Sequence, residues 1–195
     1  PPETVPAGDV KLPIAAPVDT TIDCVAALPD DEAVAFLDGA LHTWDIGRDL
    51  HQWAHQSRKH GCRRMRDLLP RTDARAESRP ESILRYRLNS AGYHGWVPQF
   101  PVTAGNVGHF IDLADPYHRI ALEFHGAGHW DDPRQRQADA ERTNRLRQAD
   151  WYPIEVTASD LWGNFPRILR SIDEARRTIE EEWAAARIIQ QSRWR

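Results

Sequence analysis

The chain has 195 residues, 28% of them charged, and a formal net charge of −4. This length fits one domain of ordinary size, or a core with an appendage, and the negative charge argues against a protein that coats nucleic acid by bulk charge. The sequence has no run of eighteen apolar residues and no secretory signal, so we expect no membrane partner and a cytoplasmic location. Cys24 and Cys62 lack CxxC spacing, which fits a reducing compartment.

Proline is concentrated at the start of the chain. Residues 1–17 contain five of the 14 prolines, and the first residue is itself a proline. This composition predicts a Pro-rich linker or tail at the beginning of a processed fragment.

Residues 18–75 have the pattern of a helical module. A first helix can begin at Asp19, and Pro29 followed by acidic residues begins a second. Two more helical segments, "DIGRDLHQWAHQSRK" and "CRRMRDLLP", lie on either side of Gly61. The basic stretch at residues 58–66 is interpreted as a solvated helix face.

From Ser78 the pattern changes to a mixture of helices and strands. An S-x-x-E start and a glycine stop predict a helix over residues 78–92. A polar helix, a further strand and a long helical tail are predicted after three strand-like runs, so the element order is α-β-β-β-α-β-α. The four strands are predicted at residues 97–102, 107–114, 119–125 and 151–156.

The second and third strands each contribute a carboxylate. The turn "DPYH" favours a hairpin in which Leu113 faces Ile120 and Asp112 faces Ala121. Asp112 and Glu123 are then diagonal neighbours on one face, roughly 7–8 Å apart at the backbone. Two like charges on a half-buried face need a positive group between them, and magnesium or manganese suits oxygen ligands. The alternative is that both acids are strand-end residues in solvent.

Glu81 has two interpretations. With Leu84 and Leu88 it falls on the packed face of its helix, where a third acid facing the sheet would join the other two. With Ser78 it completes a capping box and then serves only the helix start.

His125 and His129 follow the acid of the third strand, at the strand end and in a glycine loop. A histidine beside metal-bound carboxylates can act as a general base or donate a hydrogen bond to a phosphate. The alternative for each is an imidazole whose hydrogen bonds are satisfied locally in the loop.

Five stretches within residues 76–161 occur in a characteristic order: "AESRPESILRYRL", "FIDLADP", "IALEFHGAGHW", "ERTNRLRQADW" and "IEVTASDL". Together they resemble the uncharacterised actinobacterial endonuclease-like domain related to very-short-patch mismatch repair endonucleases. That domain belongs to the restriction-endonuclease-like, or PD-(D/E)xK, superfamily, whose core is αβββαβ. The resemblance implies an α/β endonuclease-like domain at 76–161, with an N-terminal helical module at 18–75 and a C-terminal helical extension at 162–195.

The resemblance also implies roles for the candidate residues. Asp112 and Glu123 would be the metal ligands, for magnesium or manganese, with Glu81 in support. The third element of the E-x-K motif falls on His125, so the lysine is absent. Histidines take part in catalysis in the mismatch-repair branch, which favours roles for His125 and His129.

Two further positions bear on DNA binding. Arg142 matches a recurrent arginine of the polar helix and can hold a phosphate or orient the carboxylates. Glu155 stands on the last strand where relatives usually carry a basic residue, and a negative charge facing the site would weaken the approach of DNA.

The sequence therefore predicts a magnesium-dependent endodeoxyribonuclease that acts in DNA repair, restriction or phage defence. One alternative is a catalytically lapsed nuclease-fold module that binds DNA or a toxin–antitoxin partner, and a third is a helical interaction protein built on residues 18–70 and the tail. Relatives often begin with a winged-helix module. None is visible here, so we expect the main DNA-docking surface to lie in a missing N-terminal winged-helix module of the same protein. A homodimer is the other partner expected.

Overall fold

The computed structural model describes residues 3–7, 10–104, 107–126 and 133–192, which belong to two compact units. The first unit is Pro1–Ser90 and the second is Ala91–Arg195. The boundary differs from the predicted one between residues 75 and 76, because the helix that ends at Ser90 groups with the helices before it. Within the described ranges, no helix has both the length and the apolar character that crossing a bilayer requires.

The first unit starts with a β-hairpin, where the sequence predicted a linker or tail over residues 1–17. Strand β1 (Glu3–Ala7) pairs antiparallel with strand β2 (Val10–Ile14). Each strand contains one proline, Pro6 or Pro13. Both strands of a two-stranded sheet are edge strands, where the missing N–H of a proline is tolerated.

Five helices follow in the first unit, in agreement with the predicted helical segments. They are α1 (Pro17–Ala27), α2 (Asp30–Thr43), α3 (Gly47–Gln56), α4 (Cys62–Leu68), which continues into a 3-10 turn at Leu69–Arg71, and α5 (Arg79–Ser90). Helix α2 begins directly after Pro29, with three acidic residues in its first turn near the positive end of the helix dipole. The core between the helices is apolar and includes Val34, Leu37, Leu50, Met65 and Leu68.

A buried ion pair joins two helices of this unit. Arg85 Nη2 of α5 lies 2.7 Å from Asp38 Oδ2 of α2, and both side chains are almost fully buried. The other carboxylate oxygen of Asp38 accepts a hydrogen bond from the backbone N–H of Asp73 at 2.7 Å. Burial raises the pKa of Asp38, although the charge of Arg85 acts in the opposite direction. The pair thus links α2, α5 and the segment between α4 and α5.

The second unit is a mixed α/β fold around a four-stranded sheet. Its strands lie in the order β3-β4-β5-β6, the first three antiparallel and β6 parallel to β5. The strands are β3 (Val97–Ala104), β4 (Val107–Asp115), β5 (Ile120–His125) and β6 (Tyr152–Thr157). The helices are α6 (Pro133–Gln148), α7 (Ala158–Gly163) and α8 (Phe165–Ser192). The chain order from α5 to α7 is the predicted α-β-β-β-α-β-α.

Helix α6 connects the two parallel strands. Parallel neighbours need a crossover connection, and a helix usually supplies it. Leu146 of α6 and Trp151 pack on Ile111, Ala114 and Ala121 of the sheet to form an apolar core. The crossover therefore holds α6 against β4 and β5.

The turn between β4 and β5 depends on the side chain of Asp115. Its Oδ1 accepts hydrogen bonds from the backbone N–H groups of Tyr117 and His118, at 3.1 and 3.2 Å. Arg119 closes the turn in the left-handed region, with φ of 54°. Asp115 is consequently the last residue of β4 and faces the first residue of β5.

This turn makes the register differ from the predicted one. The structure pairs Leu113 with Leu122 and Asp115 with Ile120, whereas the sequence placed Leu113 opposite Ile120. The difference arises because the turn comprises residues 116–119 rather than 115–118. A shift of two residues keeps every side chain on its predicted face but changes its neighbours.

Candidate functional site

Asp112 and Glu123 are brought together by neighbouring strands. The pairing of β4 with β5 ends at Leu113 and Leu122, and Asp112 and Glu123 are the next residue of each strand beyond that pair. Asp112 Oδ2 also accepts a hydrogen bond of 2.9 Å from the backbone N–H of Phe124. The two acids proposed from the sequence are therefore neighbours across the two strands.

Arg142 of helix α6 contacts both acids. Its Nη2 lies 2.5 Å from Glu123 Oε2 and 3.6 Å from Asp112 Oδ1. The same nitrogen donates a hydrogen bond of 2.7 Å to the carbonyl of Phe110. Of the two roles that the sequence left open for Arg142, the observed contacts are those of a residue that orients the carboxylates.

Glu123 has a strongly perturbed carboxyl group. Glu123 is only 6% exposed to solvent. Burial, followed by the nearby charge of Asp112, raises the pKa of Glu123 to about 8, although Arg142 acts to lower it. Glu123 Oε1 is buried and has no hydrogen-bond partner within the described ranges. Near neutral pH this carboxyl retains a proton unless another positive charge reaches it.

These features fit a divalent cation. Two neighbouring carboxylates, one with an unpaired buried oxygen, are ligands of the type that magnesium and manganese prefer. Asp112 and Glu123 are the residues that would hold such an ion. Among the described residues there is no group of three or more histidine, cysteine, aspartate and glutamate side chains placed to bind a metal.

His125 lies at the carboxyl end of β5, two residues beyond Glu123. Its Nδ1 is 4.0 Å from Asp139 Oδ2, and both side chains are about three-quarters buried. Asp139 belongs to α6 and was missed by the sequence reasoning. A signal was available, because Asp139 precedes Arg142 by three residues and so shares its helix face.

His109 and Arg145 extend the site along β4 and α6. Arg145 Nε donates a hydrogen bond of 3.1 Å to His109 Nε2. Burial, and then the charges of Arg145 and Arg142, lower the pKa of His109, so this imidazole is a neutral acceptor. Sequence reasoning missed both residues, although Arg145 follows Arg142 by three positions on the same helix.

Two further candidates, His129 and Glu81, were proposed from the sequence. His129 lies outside the described residues. Glu81 belongs to the helical unit, where its Oε1 accepts a hydrogen bond of 2.6 Å from Ser78 Oγ and its Oε2 accepts one from the backbone N–H of Glu77. These are the contacts of a helix cap. The supporting role of Glu81 toward the other two acids stays a prediction.

Glu155 is a neighbour of the site. In the parallel pairing of β5 and β6, Glu155 is the partner of Glu123. Paired residues of adjacent strands have side chains on the same face of a sheet. The negative charge that the sequence flagged thus stands on the strand next to Glu123, with its own side chain exposed.

Comparison with known proteins gives two relatives. Uncharacterized protein MT2308 of Mycobacterium tuberculosis strain CDC 1551 / Oshkosh and Uncharacterized protein Rv2248 of strain ATCC 25618 / H37Rv are each 29% identical to this chain over 169 residues. The similar region covers 83% of this chain and 62% of each relative, so the chain spans less than two thirds of their length. No family model matches the chain, and no solved structure matches it significantly.

Proposed function

We propose that the chain is a metal-dependent nuclease that hydrolyses phosphodiester bonds in DNA, with a restriction-endonuclease-like core. The observation that carries this proposal is the pair of neighbouring carboxylates, Asp112 and Glu123, which both contact Arg142; Glu123 is buried and has an unpaired oxygen among the described residues. The chain order of helix, three strands, helix and strand supports the core, because it is the order expected of that superfamily.

The acids would bind the cation. Glu123 must release its proton to act as a ligand, and a neighbouring divalent charge favours that release. When bound, magnesium or manganese polarises a phosphate oxygen and lowers the pKa of an attacking water. Asp112 keeps its position through the hydrogen bond from the backbone of Phe124.

The histidines and the arginine would serve the reacting phosphate. His125 would take the proton from the attacking water, with Asp139 at 4.0 Å to orient the imidazole. His129 is the second candidate and would assist the leaving oxygen. Arg142 is 37% exposed on its side chain, and its buried Nε has no hydrogen-bond partner in the described part of the chain. The exposed part of this side chain would stabilise charge that develops on the phosphate.

Cleavage of plasmid and oligonucleotide DNA with magnesium or manganese tests the proposal. We expect Asp112→Asn and Glu123→Gln to abolish cleavage. Glu174→Gln, which removes an exposed carboxylate of α8, is the matched control and should leave cleavage unchanged. Cleavage that survives both site substitutions would remove these acids from the mechanism.

The second candidate is a lapsed nuclease fold that binds DNA or a toxin–antitoxin partner. It is favoured by the ion pair of Arg142 with Glu123, by the missing lysine and by Glu155 on the next strand. Calorimetric titration with manganese separates the two candidates. A lapsed site takes up the metal no better than an Asp112→Asn variant, whereas an active site loses most of its metal affinity with that substitution.

A further inference from the structure

An acid-free segment connects two helices of the first unit. Residues 50–66 contain five basic residues, three histidines and no acidic residue, in a chain whose net charge is −4. The segment includes most of α3, the turn after it and most of α4. The structure divides its five cations into two kinds.

Two of the arginines are used to hold helices together. Arg64 Nη2 lies 2.7 Å from Asp30 Oδ1, and the same guanidinium donates hydrogen bonds to the carbonyls of Val25 and Leu28 at the end of α1. Arg66 Nη1 donates a hydrogen bond of 2.8 Å to the carbonyl of Ala54 in α3. These carbonyls near helix ends need donors, so both arginines have structural roles.

The other three cations, Arg58, Lys59 and Arg63, are exposed. None of them forms an ion pair or a side-chain hydrogen bond with any residue in the described ranges. Three histidines of the same segment, His51, His55 and His60, are also exposed, and His60 lines the same surface depression as Arg63. We name these six residues the basic face.

The turn that presents the basic face has a defined conformation. Ser57 Oγ accepts a hydrogen bond of 3.0 Å from the backbone N–H of Lys59, and the Lys59 carbonyl accepts one of 3.3 Å from Cys62. Gly61 adopts φ of 87°, which other residues adopt only with strain. Arg58 and Lys59 are therefore held on an ordered turn and Arg63 on the first turn of α4, which reduces the backbone entropy lost when they bind a partner.

We propose that the basic face binds the phosphate backbone of duplex DNA. Arginine, lysine and histidine offer hydrogen-bond donors and positive charge, and residues 50–66 contain no acidic residue. Two acids line the same surface depression as His60 and Arg63: Asp30, which pairs with Arg64, and the exposed Asp67. No large apolar side chain in residues 51–63 is exposed, so the face lacks the apolar anchor of a membrane-binding surface. The choice of DNA rests on the proposed function, but the contact itself is separate from the acidic site.

The salt dependence of binding tests this inference. Binding of the full chain to a fluorescent duplex is measured by anisotropy between 50 and 200 mM NaCl, with EDTA present. Each neutralised phosphate contributes about 0.9 to the slope of log affinity against log salt. If each cation neutralises one phosphate, Arg58→Gln/Lys59→Gln/Arg63→Gln lowers that slope by about 2.7. The original chain then loses about 40-fold more affinity than the variant over this salt range.

A matched control removes the same charge elsewhere. Arg170→Gln/Arg177→Gln/Arg187→Gln changes three exposed arginines of α8 and should leave the slope as it is. Equal salt slopes for the original chain and the basic-face variant overturn the inference. A fall in the slope of the α8 control that equals the fall in the basic-face variant also overturns it. If the basic-face variant loses binding to phosphatidylserine vesicles while its salt slope for DNA is unchanged, the inference is overturned in favour of a membrane partner.

The result is independent of catalysis. A lower slope in a protein that never cleaves DNA rejects the nuclease and supports the basic face as a DNA surface. Cleavage by a protein whose basic-face variant binds DNA with an unchanged slope rejects only the basic face.

Discussion

Arg142 Nη2 lies 2.5 Å from Glu123 Oε2, at the place where the sequence leads one to expect a divalent ion. The guanidinium supplies the positive charge that two neighbouring carboxylates require. A metal at this site must therefore share Glu123 with Arg142 or displace it, and release of the arginine would free its donors for a phosphate. The contact therefore neutralises part of the acidic charge when no metal is bound.

We expect Arg142→Gln to raise the pKa of Glu123 above its present value of about 8. Arg142 now lowers this pKa, against the effects of burial and of Asp112. The measurement is an NMR titration of the Glu123 side-chain carboxyl carbon in the absence of metal. Arg167→Gln is the control, because Arg167 pairs with Asp160 instead. An unchanged pKa would show that the guanidinium does not interact with Glu123 in solution.

The stability of the metal-free protein should fall as pH rises from about 5 to 8. The folded protein keeps a proton on Glu123 up to a pKa of about 8, whereas the unfolded chain releases it near the ordinary value of 4.5. The stabilisation is thus complete below pH 4.5 and is lost toward pH 8, at up to about 1.4 kcal/mol per pH unit. Urea denaturation at several pH values gives the free energy of unfolding as a function of pH. The slope of that free energy against pH should be smaller for Glu123→Gln than for the original chain. Equal slopes in the two proteins would contradict the raised pKa.

Removing one partner of the buried Asp38–Arg85 pair should destabilise the protein. We expect Asp38→Ala to lower the free energy of unfolding by about 3–5 kcal/mol, because Arg85 is left buried and uncompensated. Asp38→Leu combined with Arg85→Met should recover most of the loss. Asp30→Ala is the control, since the side chain of Asp30 is 57% exposed and its pair with Arg64 should contribute about 1 kcal/mol or less. Urea denaturation measures all three.

Alanine substitutions at two glycines of the helical unit should change the stability of the protein in opposite directions. Gly61→Ala places a Cβ at φ of 87° and should destabilise by about 1–2 kcal/mol. Gly39 lies inside α2, and a Cβ added there meets nothing within 4 Å. Gly39→Ala should therefore stabilise by about 0.5–1 kcal/mol. Thermal unfolding of both variants provides the comparison, and a gain at Gly61 would contradict the left-handed turn.

The sequence predicted the order and approximate bounds of the helices and strands after residue 17, because periodicity and helix-end signals are local. It also predicted that Asp112 and Glu123 share a face, since alternation along a strand does not depend on the exact pairing. The register was wrong by two residues. It depends on how the carboxylate of Asp115 bonds the turn, which alternation does not reveal.

Contacts between elements were the least predictable. The sequence identified Arg142 but not its contact with Glu123, and it missed Asp139, because both depend on how α6 lies on the sheet. The grouping of α5 with α2 was missed for the same reason, since the Asp38–Arg85 pair joins residues 47 positions apart. Local patterns contain no information on such distances.

Helix α6 has polar contacts with the sheet but few buried side chains in its described part. Within residues 137–148, Leu146 is the one buried side chain, whereas β5 consists largely of buried residues. Segments with few buried apolar contacts open at lower free energy than the core, so backbone amides of α6 should exchange with deuterium well before those of β5. An opening of the helix would remove Asp139, Arg142 and Arg145 from the sheet together. A ligand that binds α6 and keeps it against the sheet would therefore keep all three side chains at the site together.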